Sequence, residues 1–281
     1  MNSIVAPACA KPLGRWASFG ETMYEQKIVE IINANIYKMK NSLNWDVTSN
    51  RFVVFLDILG FKDMVYREKH EDVYNKLRSI NEFLKSIQVK NDIEGNLIEV
   101  KQFSDSILII SKDDNYASFG VLVIIMRHII FYFIEKGIAI KGSCAHGKVT
   151  IDSEKSIIFG QPIIDAYLLE EEVFYCGIVC HNSFEKQTND LEYIKFYKEF
   201  IGETDDFWDS DFFIAKTKLK SGNVVHANAN WFAWGYSHKS SEEETYKRIV
   251  SAMKKIQMQI SGKSRIYVDN TLEMAKLALK L

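Results

Sequence analysis

The apolar and polar positions follow a repeating order. "RFVVFLDI", residues 51–58, is a nearly unbroken apolar run, the pattern of a buried strand. Val73, Leu77, Ile80, Leu84 and Ile87 recur at helical spacing, which predicts a helix over roughly 69–90 with one apolar face. "LIEVKQF" (97–103) and "SILIISK" (106–112) predict two strands joined by a turn at Ser104-Asp105. Residues 116–136 predict a second long helix, and "GIAIKGSCAHG" (137–147) a fourth strand. Strand, helix, strand, strand, helix, strand is the order of the split βαβ, ferredoxin-like unit. That unit is an α+β fold with helices on one face of a mainly antiparallel sheet.

The flanking segments read differently. Residues 21–40 predict an amphipathic helix, followed by the polar break "NWDVTSN". "KVTIDSEKSIIFG" (148–160) predicts a hairpin turning near Asp152-Ser153, and Pro162 suits the first turn of a helix, "PIIDAYLLEEE". "VFYCGIVCH" (173–181) predicts another strand, with Asn182 or Ser183 able to cap a helix after it. Beyond about residue 186 the character changes. "DFFIAKTKLKSGNVVHANANW" predicts a hairpin around Ser221-Gly222, and 241–260 and 270–280 predict helices. The expected organisation is an N-terminal helical extension (1–48), a central domain (49–185) and a C-terminal α/β appendage (186–281) packed on that core.

Composition narrows the class. The chain of 281 residues is 47% hydrophobic and 26% charged, as in soluble globular proteins. Its net charge of −2 gives no field for broad nucleic-acid binding, so no nucleic-acid partner is expected. Cys9, Cys144, Cys176 and Cys180 form no C-x-x-C pair. They read as core packing rather than a disulfide or zinc site, which fits a reducing cytoplasm. "MNSIVAPACAKPLGRW" has too little apolar length for a secretory segment. "FGVLVIIMRHIIFYFIEKG" (119–137) is the best membrane candidate, but Arg127 and His128 at its centre would be costly in lipid. A buried helix that snorkels Arg127 is expected instead, with no membrane partner.

Two carboxylates stand out. Asp57 ends the first strand inside "FVVFLDILGF", and Asp105 sits at the hairpin tip. A buried carboxylate is expensive unless it is paired or bound to a metal. In the ferredoxin-like order the first strand lies beside that hairpin, so the two aspartates can converge at one edge of the sheet. Carboxylates on a rigid sheet suit a hard cation, Mg²⁺ or Mn²⁺. Gly60 lets the backbone approach a phosphate closely, and the amides of Leu59 to Phe61 can point at it. Taken singly, Asp57 could cap the next turn and Asp105 could be a turn residue. Their joint placement favours the metal site.

These residues carry a resemblance. "FLDILGF" resembles the F-x-D-I-x-G-F metal-binding motif of class III nucleotidyl cyclases, and "KQFSDS" resembles their K-x-x-G-D hairpin. "KGSCAHG" loosely resembles the following strand, and "FGQPIIDAYLLE" takes the place of their W-G-x-x-V-N-x-A-x-R segment. The forms F-S-D-S and G-x-P-x-I-x-A-Y-x-L-E look like the bacterial pyrimidine cyclases of the Pycsar anti-phage systems. The resemblance covers roughly 50–185 and, more loosely, "VDNTLEMAK".

The resemblance implies a metal-dependent cyclase that converts a pyrimidine nucleoside triphosphate, UTP favoured, to its 3′,5′-cyclic monophosphate. It implies two Mn²⁺ or Mg²⁺ ions on Asp57, Asp105 and the main-chain carbonyl of Ile58, with Lys101 at the position of the family's lysine. It further implies a homodimer with active sites at the interface, and an effector that senses the cyclic product in anti-phage defence. The departures matter too. Where the family has a transition-state asparagine and arginine, this chain has Ile164 and Leu168. Lys141 and Lys148 are candidate replacements, and each is also a plausible surface lysine. Ile157 stands at the position of the adenine-reading aspartate and cannot accept a hydrogen bond. A cytidylate cyclase, a purine cyclase and a non-catalytic nucleotide-binding pseudo-cyclase are the alternatives. His146 reads as a packed strand histidine, and Trp231 and Trp234 as packing or a dimer contact.

Overall fold

The structure, a computed structural model, describes residues 45–91, 97–188, 211–232, 241–257 and 265–281. The helix expected at 21–40, Cys9 and Trp234 lie outside the described residues.

The chain begins with β1 (Thr48–Ile58), a short α1 (Phe61–Arg67) and α2 (His70–Asn91). There follow β2 (Ile98–Phe103), β3 (Ser106–Ser111), α3 (Tyr116–Glu135) and β4 (Ile140–Asp152). The β2–β3–β1–β4 order is that of the ferredoxin-like unit, and each of its three pairings is antiparallel. The expected α+β core is therefore present. α1 is an addition: a run with no buried residue, too short to show a hydrophobic period in the sequence.

β1 is buried on both faces, which explains its unbroken apolar run. Phe52, Val54, Leu56 and Ile58 face the main core beneath α2 and α3. Val53 faces a second cluster with Ile110, Ala145 and Ala166, and Phe55 packs against it. Ala166 belongs to α4 (Gln161–Glu172), which crosses β1 and β4 on that second face. α4 follows β5 (Ile157–Gly160), the return strand of the β4 hairpin.

After α4 the sheet continues. β6 (Ile178–Cys180) pairs with β4 in parallel, shorter than the segment 173–181 suggested. α5 (Asn182–Thr188) leads out of it. The hairpin β7 (Phe212–Leu219) and β8 (Gly222–Ala229) joins β6 through Val179↔Asn228, so these C-terminal strands extend the same sheet. α6 (Glu242–Gln257) and α7 (Arg265–Ala278) pack together. Phe212, Trp231, Met253 and Met274 are buried in one cluster with Phe52 and Leu56. Trp231 donates its indole N–H to the Cys176 carbonyl at 3.2 Å, so its role is packing. Cys144, Cys176 and Cys180 are free and buried.

α3 is long and apolar enough to cross a membrane, but most of it is buried inside the protein. Its start is fixed by Asn115, whose side chain accepts the Ser118 amide at 2.9 Å. The expected snorkelling of Arg127 is not what occurs. Its guanidinium stays buried and pairs with Asp211 at the start of β7, so the charge is compensated rather than carried to water.

Candidate active site

β1 ends where its neighbours turn. Asp57 is opposed by Ser106 of β3 on one side and Lys141 of β4 on the other. Asp105 occupies the two-residue β2–β3 turn, where Ser104 takes the left-handed conformation at φ 57. The amide of Ile58 donates to the Asp105 carbonyl at 3.0 Å. The two aspartates are thereby held at one corner of the sheet, both half-buried. Burial first, then the charges of Glu170 and Asp105, push the Asp57 carboxyl up to about 6, against the opposing pull of Lys141 and Lys220.

Beyond Asp57 the chain turns sharply at Gly60, whose φ of 76 requires glycine or a strained residue, and enters α1. The Leu59 amide corrects one expectation. It donates to the Ala139 carbonyl at 2.9 Å, because the β1–β4 ladder continues past the strand end. Of the three amides proposed for a phosphate, Leu59's is already used.

Lys101 lies on the same sheet face as Asp57, two residues from Phe103, which shares a register row with Ser106 and Asp57. It is half exposed and pairs with Glu99 at 2.6 Å. Lys141 also shares that face, yet it turns into the protein. Its ammonium lies 2.7 Å from Glu170 Oε1 and 2.6 Å from the Glu170 carbonyl, and both residues are only 4% exposed. Lys148 does not reach the site. It pairs with Asn50 at the far end of β1 and is exposed. His146 faces the other side, with its ring 4.9 Å from Phe52 and Nε2 3.0 Å from Asp114, as a packed strand histidine does.

α4 is fastened over the site. Pro162, Ala166 and Glu170 form its buried stripe, and Ser143 donates its hydroxyl to the Ala166 carbonyl at 2.5 Å. Tyr167 stacks edge-on against Phe55 at 5.5 Å. On its outer side Ile164 and Leu168 are exposed, with Ile157 and Phe159 of β5 also exposed nearby in the chain.

Two contributors were missed by sequence reading. Glu170 was visible only as the last letter of a motif. Tyr267 of α7 has its hydroxyl pushed up to about 12, by burial and then by the charges of Glu170 and Asp57. The segment "VDNTLEMAK" begins one residue after it, so nothing in the sequence singled it out. α7 is fixed there by Asn270, which donates to the Phe174 carbonyl at 2.7 Å.

Among the described residues no group of three or more His, Cys, Asp or Glu side chains is arranged to hold a metal ion. The donor set at this corner is smaller: two half-buried carboxylates beside main-chain oxygen. Hard, incompletely neutralised oxygen donors fit Mg²⁺ or Mn²⁺ with open positions, rather than a closed structural site.

No protein-family model and no curated protein matches the chain. Solved structures do resemble it in part. One is the adenylyl cyclase CyaB from P. aeruginosa, at 13% identity over 65% of this chain and 94% of that one, with a TM-score of 0.43. A second is the catalytic core of a rhodopsin-guanylyl cyclase with converted specificity, in complex with ATPalphaS, at 14% identity over 64% and 94%, TM-score 0.45. A third is a bacterial light-regulated adenylyl cyclase, at 13% over 66% and 91%, TM-score 0.41. These likenesses concern the course of the chain and leave the chemistry to the residues.

Proposed function

We propose that the protein is a nucleotidyl cyclase that converts a pyrimidine nucleoside triphosphate, UTP before CTP, to the 3′,5′-cyclic monophosphate and pyrophosphate. The observation that carries this reading is the meeting of Asp57 and Asp105 at one sheet corner, tied by the Ile58–Asp105 bond. The motifs around both aspartates support it.

In this reading Asp57, Asp105 and the Ile58 carbonyl hold two Mn²⁺ or Mg²⁺ ions. Such ions, when bound, neutralise the triphosphate and lower the pKa of the ribose 3′-hydroxyl. The backbone at Gly60 and Phe61 lines the phosphates. Lys101 meets the base edge. The 3′-oxygen forms a bond to the α-phosphorus, the α–β phosphoanhydride bond breaks, and the hydroxyl proton passes to solvent. Two copies of the chain share each site, and the exposed Ile157, Phe159, Ile164 and Leu168 are the apolar surface for that contact. The enzyme acts in a bacterial cytoplasm, and a separate effector reads its product as an anti-phage signal.

One observation favours a second reading, nucleotide binding without turnover. Ile164 and Leu168 supply no transition-state donor, and Lys141 is occupied by Glu170. A single experiment separates the two. The purified protein is incubated with Mn²⁺ and each of the four nucleoside triphosphates, and products are identified by mass. Cyclic UMP with pyrophosphate is expected. Binding with no cyclic product from any triphosphate would establish the second reading.

A further inference from the structure

We propose that Glu170 is a positioning residue that keeps the Asp57 carboxylate open to a cation by holding the Lys141 ammonium away from it. This rests on the reading of Asp57 as a metal ligand.

Lys141 stands directly opposite Asp57 in the β1–β4 register. Side chains so placed start about 5 Å apart, and opposite charges there ordinarily pair across the strands. Here the lysine is claimed by α4 instead. An ammonium has three donors. Within reach of Lys141 are Glu170 Oε1 at 2.7 Å, the Glu170 carbonyl at 2.6 Å and the Glu171 carbonyl at 3.4 Å. Two of these acceptors are carbonyls of the last turn of α4, which carries the negative end of the helix dipole. The third is a carboxylate from the helix's own buried stripe. Burial holds the pair in this arrangement, because neither charge can move to water.

The consequence falls on Asp57. With Glu170 neutral, Asp57 is the carboxylate directly opposite the Lys141 strand position, and a Lys141–Asp57 pair would compete with any cation. With Glu170 charged, the Lys141 ammonium is matched within the buried pair, and Asp57 and Asp105 stay open at the corner for a dication. Glu170 itself has no route to the metal in this geometry, since it is committed to Lys141. It acts through the lysine.

The test is Mn²⁺ binding to the full-length protein without nucleotide, read as loss of the free-ion electron paramagnetic resonance signal. Asp57→Asn should lose binding. Unchanged affinity there would remove Asp57 as a ligand and this inference with it. Glu170→Gln should weaken Mn²⁺ by about tenfold, the scale of one partly buried ion pair. The double variant Glu170→Gln/Lys141→Met should recover to within about threefold of the parent, because the competing ammonium is gone. Parent-like affinity in Glu170→Gln, or no recovery in the double variant, would overturn the proposal while leaving Asp57 as a ligand. Should Glu170→Gln not fold, Glu170→Asp keeps the charge and shortens the reach. It should weaken Mn²⁺ about threefold, and unchanged affinity would equally overturn the proposal.

Discussion

The amide of Ile58 donates to the carbonyl of Asp105 at 3.0 Å, joining the last residue of β1 to the turn between β2 and β3. Asp57 precedes one partner, and the other is Asp105 itself. One main-chain bond therefore sets the spacing of two acidic side chains that lie far apart in the chain. Neither depends on a flexible loop for its position, as the proposed site requires.

Asp57→Ala and Asp105→Ala should each abolish cyclisation while leaving the fold intact, since each removes charge that the proposed ions need. Circular dichroism should match the parent, and product formation should fall by at least about a thousandfold. Parent-like turnover in either variant would remove the carboxylates from the site.

The contribution of Asp57 to the stability of the metal-free protein should fall as pH rises from about 4 to about 6. Asp57 is raised from 3.8 to about 6 in the folded state, chiefly by burial and then by Glu170 and Asp105. Across that window the folded protein keeps a proton that the unfolded chain has lost, so unfolding becomes easier as pH increases. After allowance for partial exposure the cost is about 1–2 kcal/mol. Glu170 is raised by burial as well and acts in the same direction. Asp57→Asn should therefore gain stability over the parent as the pH increases. A stability difference that stays flat from pH 4.5 to 7 would contradict this account.

Sharing of the site between two copies can be checked by complementation. Lys101 is half exposed on the Asp57 face, and in the proposed dimer it would serve the partner's site. Mixing Asp57→Ala with Lys101→Ala chains should restore part of the activity that each lacks alone. Verified mixed dimers that stay inactive would place the whole site within one chain.

In the proposed reading, base choice follows from donors and acceptors. Ile157 accepts no hydrogen bond from an adenine amino group, and Lys101 brings donors only. Uracil offers O4 as an acceptor where cytosine offers an amino donor. A mismatch at that edge costs about 1–3 kcal/mol, or roughly 5- to 150-fold in preference. Competition among equal concentrations of the four triphosphates should yield mainly cyclic UMP. A cyclic CMP majority would mean that another residue supplies an acceptor, and a purine product would overturn the pyrimidine assignment.

Asp211→Ala should destabilise the protein by about 3–5 kcal/mol, because the buried Arg127 would lose the carboxylate it pairs with. Replacing both by apolar residues, Arg127→Met with Asp211→Leu, should recover most of that loss. Equal destabilisation by the single and double variants in chemical denaturation would show that the pair is not the source.

The sequence by itself determined the ferredoxin-like core and where in it Asp57 and Asp105 stand. Alternation, helical spacing and turn residues are local signals, and β1, α2, β2, β3, α3 and β4 each carry a strong one. Once their order is known, the sheet order places Asp57 beside the hairpin that bears Asp105. Only the tertiary structure decided which charges are paired. Lys141 and Glu170 stand 29 residues apart, and nothing in either neighbourhood announces the bond between them. Arg127 carried a signal of burial but none of its pairing with Asp211, which lies just before β7. Tyr267 feels the charges of Glu170 and Asp57 because α7 packs back across the fold, with its ring 4.8 Å from that of Phe174. Side-chain electrostatics depend on distances across the folded chain. Periodicity reports only the neighbours along it.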